Sequence, residues 1–464
     1  MSKARIYYHD IGDYLSREEK LATLKKYGSV DNIPWETLTP NEHGDWLNQR
    51  NDVFGSFIPL GDKDNKQANT VFVPYYSNGL KTQRDAWCYN SSKNVLKNNI
   101  KRTLDFYNEQ RIAFMKLRGE NQNVDVKSFL SYESAKISWT RALEWDIEKG
   151  KTHTIESGQI VVSNYRPFFK QYLYFSRALN EMVYQIPKLF PSPEIKNFVI
   201  CVSGLGGSKE NTTIITDYVP DLNCLDSGTQ CFPLYYYEER QKSSPTLFDD
   251  ANENELIRRD GISDFILTQA RKAYGNMVGK EDIFYYVYGF LHSPEYRLRF
   301  ANDLKKMLPR IPLVDDAKDF WSFSKAGRKL AELHINYESV PAYKDVKVEQ
   351  SGFDSKSSPD YAVTKMRFPK KDQKDTIFYN SNITISNIPA EAYEYIVNGK
   401  SAIEWIMERY QITTHKESGI RNDPNDWATE VGNPRYILDL LLSIINVSVQ
   451  TVQIVKGLPE VRFE

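Results

Sequence analysis

The chain has 464 residues, and 60 Lys and Arg nearly balance 61 Asp and Glu for a net charge of −1. That length suits more than one domain, at roughly 100–200 residues each. The charge balance excludes a general polyanion binder, so any nucleic-acid contact must come from a local basic face. Aromatics reach 13%, with 30 Tyr and 23 Phe, which suits polar interfaces as well as cores. The 4 cysteines are irregularly spaced, as expected of a reduced, cytoplasmic protein.

In chain order, Arg5 to His9 reads as a strand. Ser16 then caps a charged helix to about Tyr27, with Glu18 and Glu19 in its first turn. The N-terminal stretch has no apolar run of the signal-peptide kind. One strand and one helix cannot bury a core, so this start is expected to be the tail of a larger domain. Asp31 to Asn90 is loop-rich, with Pro34, Pro40, Pro59 and Pro74. Ser91 can cap a helix to about Asn108, whose apolar face is Val95, Leu96, Ile100 and Leu104. Lys93, Lys97 and Lys101 fall at i, i+4, i+8 on another face. Such a row is a solvated helix face or a set of phosphate contacts, and spacing alone leaves both open.

Helical segments continue through Trp145. Thr152 to Tyr237 then carries β-branched and aromatic runs, among them Ile160 to Val162, Phe198 to Val202 and Thr212 to Ile215, separated by Gly, Pro and Asn. This predicts a sheet. Ser243 to Glu255 is a polar, acidic linker. Asp282 caps a helix from Ile283 to Leu291, and Ser293-Pro294 restarts one that runs to Leu308. Phe320 to His334 is helical. Tyr361 to Ile388 reads as strands around an Asn380-Ser381-Asn382 turn, and Pro389 to Tyr410 is helical. Tyr436 to Val455 is strongly apolar but broken by Asp439, Ser443, Asn446, Ser448, Gln450 and Gln453, as in a buried helix or a helix plus strand and not a membrane span. The fold class is mixed α/β (α+β).

No chemistry-bearing motif stands out. The Asn/Asp-Pro-Pro-aromatic loop of adenine methyltransferases is missing, and the nearest string, Asn422-Asp423-Pro424-Asn425, lacks the second proline and the ring. Gly204 to Lys209 resembles a phosphate loop only superficially. The β-branched run Thr212 to Thr216 follows it where a helix would have to begin, so a hairpin loop is expected. Glu194-Ile195-Lys196 precedes Pro220-Asp221, the wrong order for a PD-(D/E)xK nuclease. No zinc spacing, no HExxH and no G-x-S-x-G elbow occurs. No catalytic residue, metal or cofactor is assigned to the chain.

Several strings carry a resemblance. Asn164-Tyr165-Arg166-Pro167-Phe168-Phe169-Lys170-Gln171-Tyr172-Leu173-Tyr174-Phe175 resembles the YRPF block of target-recognition domains in single-chain restriction-modification enzymes. Gln230 to Tyr235, Phe284 to Ser293 with Tyr296-Arg297, Pro309 to Pro312, and Asn425 to Trp427 resemble the Type ISP branch of those enzymes. So do Ile6 to Leu15, His43 to Trp46 and Arg84 to Trp87. The resemblance implies the end of an adenine methyltransferase domain and a helical connection over residues 1–110. A target-recognition domain would follow over 111–464, with a sheet-rich part at about 152–237 and a mostly helical lobe from about 282. It implies sequence-specific binding of double-stranded DNA, with methyltransferase, motor and nuclease parts upstream or on a partner polypeptide, and no enzyme activity or membrane association of this chain alone. Two other readings remain: a scaffold that joins subunits without reading sequence, and an enzyme with unfamiliar residues.

Base readout uses Arg or Lys on guanine and Asn or Gln on adenine, presented on loops. The candidates are therefore Ser208, Lys209 and Asn211 on the Ser203–Asn211 hairpin, supported by Arg166 and Lys170. On a single strand, Arg166 and Lys170 would share a face with Phe168, Tyr172 and Tyr174. The alternative is a core strand in which the two cations pair with carboxylates. Lys93, Lys97 and Lys101 are the backbone-contact candidates.

Overall fold

The computed structural model describes residues 4–463 except 13–14, 48, 157, 241–255 and 352–359. The linker expected at Ser243 to Glu255 lies outside the described residues.

The chain opens with β1 (Ile6–Tyr8), α1 (Arg17–Tyr27) and β2 (Glu36–Leu38). Ser16 caps α1 and forms a reciprocal capping box with Glu19. Among the described residues up to Val53 none is buried, and Tyr7, Leu21, Leu24, Val30, Trp35 and Trp46 are exposed. The packed part of the molecule begins at Phe54.

Then come β3 (Ser77–Asn78), β4 (Tyr89–Asn90) and α2 (Lys93–Glu120). Ser92, one residue beyond the expected Ser91, caps α2 by accepting from the Val95 N–H. The helix does not stop near Asn108, because Phe106, Tyr107 and Phe114 prolong its buried stripe. It runs unbroken through residue 110, so the domain boundary expected there falls inside a continuous helix. After α3 (Arg141–Glu148) the strands follow in quick succession: β5 (Ile160–Arg166), β6 (Phe169–Tyr174), β7 (Val199–Val202), β8 (Thr213–Thr216), β9 (Val219–Pro220), β10 (Gln230–Pro233), β11 (Tyr235–Glu239) and β12 (Leu256–Asp260).

The string from Asn164 to Phe175 is two strands and a turn. Proline fixes φ at Pro167, and Phe168 sits at φ 57° in the left-handed region, which reverses the chain between β5 and β6. The single-strand face drawn from the sequence therefore does not exist.

Two sheets follow. One has the order β9-β5-β6-β4, the other β3-β10-β7-β8. The second is buried on both faces. Val199, Cys201, Ile214 and Cys231 enter one hydrophobic core with α2 and the C-terminal helix. Ile200, Val202, Ile215 and Phe232 enter a second core built mainly from the helices after residue 264. A strand buried on both faces reads as a continuous apolar run, which is what Phe198 to Val202 shows in the sequence.

The helices after residue 264 are α4 (Asp264–Tyr274), α5 (Lys280–Phe290), α6 (Pro294–Arg299), α7 (Ala301–Lys306) and α8 (Ala317–Ile335). Gly279 is the N-cap of α5, and Asp282, expected as the cap, lies inside the first turn and accepts from the Gly279 N–H at 2.9 Å. Ser293 and Pro294 start α6 as expected, but the helix breaks at Phe300. A small sheet of β13 (Lys347–Gln350), β14 (Ile377–Phe378) and β15 (Ile383–Ser386) precedes α9 (Ala402–Arg409), α10 (Pro424–Glu430) and α11 (Tyr436–Lys456). Among the described residues α11 is the one helix long and apolar enough to span a membrane, and 72% of its most apolar window is buried inside the protein.

α5 and α8 touch through their backbones. A Cβ on Gly327 would lie 1.9 Å from the Tyr285 carbonyl oxygen, and one on Gly289 would lie 2.3 Å from that of Phe323. At the buried end of this pair the Tyr288 hydroxyl meets His334 Nδ1 at 2.6 Å, and His334 Nε2 meets the Thr451 hydroxyl of α11 at 2.9 Å. Burial pushes the His334 pKa well down, so a neutral ring joins the three helices.

Gly327→Ala should lower the unfolding midpoint by the equivalent of about 1–3 kcal/mol or more, since two helix backbones must separate. Gly119→Ala, in α2 with open space around it, should be neutral or stabilising by up to about 1 kcal/mol. Equal midpoints for the two variants in denaturant unfolding would show that the close contact is not strained by a methyl group.

Candidate nucleic-acid interface

Arg166, at the end of β5, is turned inward. Its Nη1 donates to Asp221 Oδ1 at 2.7 Å and its Nη2 lies 3.5 Å from Asp85 Oδ2. The guanidinium also sits 3.8 Å from the centre of the Tyr165 ring. Asp221 is buried and also accepts from the Tyr89 hydroxyl at 3.0 Å and the Asn223 N–H at 2.8 Å. Burial pushes its carboxyl up, to about 7, against the pull of the Arg166 charge.

Lys170, near the start of β6, is equally enclosed. Its Nζ lies 3.0 Å from Glu338 Oε2 and within 4.5 Å of the Tyr218 ring centre. Glu338 also accepts from the Tyr436 hydroxyl at 2.6 Å. Both cations thus tie the β5–β6 hairpin to distant parts of the chain. This corrects the expectation that they support base readout: their charges are neutralised in the interior.

The Ser203–Asn211 loop does join two antiparallel strands, β7 and β8. It is pinned and not free. Asp226 Oδ2 accepts from the Lys209 N–H at 3.1 Å and lies 3.5 Å from the Ser208 hydroxyl. The Gly206 N–H donates to the Lys305 carbonyl at 2.8 Å. Gly204 packs so closely on Ser227 that a Cβ would meet its carbonyl oxygen at 1.9 Å. The Lys209 stem runs past Gly399, and its ammonium has no carboxylate within 4 Å among the described residues. Asn211 lines a cavity of about 430 Å³ against α6, α7 and α11. Ser208 and Lys209 therefore share one anchor, Asp226, and Asn211 lines that cavity.

The lysine row of α2 is at another place. Lys93 and Lys97 are exposed, and neither has a carboxylate within 4 Å of its ammonium among the described residues. Glu430 accepts from the Lys93 backbone N–H at 3.0 Å and from the Ser92 hydroxyl at 2.7 Å, so it sits on the helix N-terminus. Lys101 is paired with Asp105 one turn on, at 2.6 Å. It keeps its exposure but its charge is offset.

A further feature escaped the sequence. A cleft of about 720 Å³ is lined by Gln83, Arg84, Gln171, Arg409, Gln411 and Asn422, among others. The Arg84 Nη2 donates to the Thr140 hydroxyl at 2.7 Å, and its Nε and Nη1 are buried without a partner among the described residues. Burial lowers the pKa of both Arg84 and Arg409. Amides and guanidiniums are the groups that read adenine and guanine edges. They come here from four stretches of the chain, Gln83-Arg84, Gln171, Arg409 to Gln411 and Asn422, each carrying one or two such residues, so no local pattern announces them. Among the described residues there is no cluster of His, Cys, Asp and Glu that could hold a metal.

Residues 71–440 match the model of the Type ISP C-terminal specificity domain. The Type ISP restriction-modification enzyme LlaGI, solved as a nuclease-deletion mutant with a DNA substrate mimic, matches at 38% identity and a TM-score of 0.83. That match covers 100% of this chain and 40% of the LlaGI chain. The ATP-dependent Type ISP enzyme LlaBIII bound to DNA matches at 36% identity and 0.85, over 100% of this chain and 28% of that one. DrdV in complex with DNA matches at 30% identity and 0.79, over 98% and 43%. This chain thus spans less than half the length of those solved chains. No curated protein matches it.

Arg166→Met should lower the unfolding midpoint by the equivalent of about 3–5 kcal/mol, because it leaves a buried carboxylate unpaired. Lys97→Ala, on an exposed helix face, should stay within about 0.5 kcal/mol. Denaturant unfolding of both variants measures this, and an unchanged Arg166→Met midpoint would return Arg166 to the list of free cations.

Proposed function

The chain belongs to the family of Type ISP C-terminal specificity domains, and we propose on that footing that it reads a particular duplex DNA sequence on behalf of a restriction-modification enzyme. One observation carries this reading. Essentially the whole chain superposes on parts of enzymes that were solved with DNA or a DNA mimic. The catalytic groups for methylation, DNA translocation and cleavage belong, in this reading, to polypeptide outside the chain, and the chain works beside DNA in the cytoplasm.

Ser208 and Lys209 are the proposed base readers, with Asn211 beside them. Their loop is anchored at Asp226 and at Lys305, so little conformational freedom is lost on binding. The free Lys209 ammonium supplies a donor of the kind that recognises guanine. Lys93 and Lys97 supply backbone contacts, where a compact ammonium suffices to neutralise a phosphate. Lys209→Ala or Asn211→Ala should cost roughly 1–3 kcal/mol on the cognate site alone. Lys97→Ala should weaken all duplexes alike and flatten the salt slope of binding by about one unit. Anisotropy titrations against cognate and scrambled duplexes at several salt concentrations separate these outcomes. Full cognate preference in the Lys209 and Asn211 variants would remove the loop from the reading surface. No duplex preference in any form of the chain would leave only the scaffold.

The positioning role rests on the N-terminal segment. A helix and a two-stranded ribbon without one buried side chain cannot hold themselves together. We read their exposed Tyr7, Leu21, Leu24 and Trp35 as the surface that docks on a methyltransferase part. Limited trypsin digestion of the isolated chain should cut first between Arg17 and Lys26. Resistance there, with nothing added, would mean that the segment is stable without a partner.

A further inference from the structure

A groove of about 890 Å³ runs along the outer side of β5, apart from the Ser203–Asn211 loop, and adjoins the lysine-bearing face assigned to DNA, with which it shares Lys93. Its floor is Ile160, Val161 and Val162, all half-buried where a strand of the interior would be covered. The sheet explains why. β5 lies between β9 and β6, but β9 registers only with Ser163 and Asn164. Among the described residues, 160–162 therefore have β6 on one side and no strand on the other.

Alternation along β5 shows which groups are left over. Asn164 gives its carbonyl to the Asp221 N–H on the β9 side, and Gln159 gives its carbonyl to the Phe175 N–H on the β6 side. Residues of even number thus point their N–H and C=O away from β6. Ile160, beyond the end of β9, turns both groups toward the groove. Asp217 and Tyr218, which would prolong β9 alongside it, splay off and form the opposite wall. The result is a slot beside β5 whose backbone edge pairs with no strand among the described residues.

The rim is basic. Lys93, Lys151, Arg177 and Lys196 line it against Glu156 and Asp217. Lys151 lies 3.4 Å from Asp146, while Lys93, Arg177 and Lys196 have no carboxylate within 4 Å among the described residues. An aliphatic floor, a free strand edge and an excess of cations specify one occupant. We propose that this groove is a docking site for an extended, carboxylate-bearing segment of a separate protein, which adds to β5 as a short strand. Backbone pairing with Ile160 supplies register, the aliphatic floor takes every second side chain, and the rim cations take the carboxylates that alternate with them. A nucleic acid satisfies the cations but offers no alternating N–H and C=O groups for the strand edge.

The test uses the full chain and a fluorescein-labelled, terminally blocked peptide of alternating valine and glutamate. Anisotropy should report binding, and the combined Arg177→Glu and Lys196→Glu variant should weaken it by about tenfold or more. These two side chains are exposed on the rim, so the variant should fold, and an unchanged unfolding midpoint confirms that it does. The same peptide N-methylated at every residue keeps every side chain but has no N–H left to donate on either edge, and it should not bind. Equal binding of the N-methylated peptide would reduce the site to bare charge and overturn the strand-addition proposal. Absence of peptide binding would also overturn it. So would displacement of the peptide by a duplex oligonucleotide whose own affinity drops in the same charge-reversal variant, because the groove would then be a nucleic-acid surface.

Discussion

The packed part of this molecule is hung on a sheet whose two faces both enter hydrophobic cores. The β3-β10-β7-β8 sheet alternates its side chains between two hydrophobic cores, with Cys201 and Ile214 on one side and Ile200 and Ile215 on the other. A one-residue slip of β7 would exchange the two sets, so both cores resist it. The loop between β7 and β8, where the proposed base readers sit, inherits its position from that doubly fixed pair. Its further ties to Asp226 and Lys305 leave it little freedom of its own.

Beyond the sheet, the two cores are held in register by contacts that tolerate no extra atom or charge. α5 and α8 meet backbone to backbone at Gly289 and Gly327. The neutral His334 ring links that pair to α11 through the Tyr288 and Thr451 hydroxyls, with the Tyr395 ring stacked on it at 5.2 Å. α11 looks like a membrane helix in composition because it lies deep in one core and reaches the edge of the other. Its polar residues are used inside: the Ser443 hydroxyl donates to the Tyr337 carbonyl, and Thr451 meets His334.

The same economy sorts the cations. Those in the aromatic hairpin, Arg166 and Lys170, are buried with carboxylates and cross-link distant segments, from Asp85 and Asp221 to Glu338. A buried pair adds little net stability but is costly to break, so it fixes which segments meet. What remains for a polyanion is the unpaired set at the surface, including Lys93, Lys97 and Lys209. On a chain of net charge −1 such a set acts only where the fold gathers it. Lys93 shows how local this is, since its ammonium is free while its backbone N–H is already held by Glu430.

Read alone, the sequence determined some of the local elements and the family. Ser16, Ser293-Pro294 and the apolar stripe of Phe320 to His334 mark helices that the fold contains, because capping and a one-sided apolar face act within a few residues. The β-branched run Thr212 to Thr216 placed a strand after the glycine loop for the same reason. Tertiary structure decided the rest. Nothing local says that Phe168 adopts a left-handed turn, which makes a hairpin of one apparent strand. Nor could spacing show that α2 runs on to Glu120, since Phe114 is buried by segments that follow it in the chain. The fate of Arg166 turned on Asp221, 55 positions away. Whether a cation is a tool or a cross-link depends on which carboxylate the fold brings to it, and that partner lies beyond the reach of any local pattern.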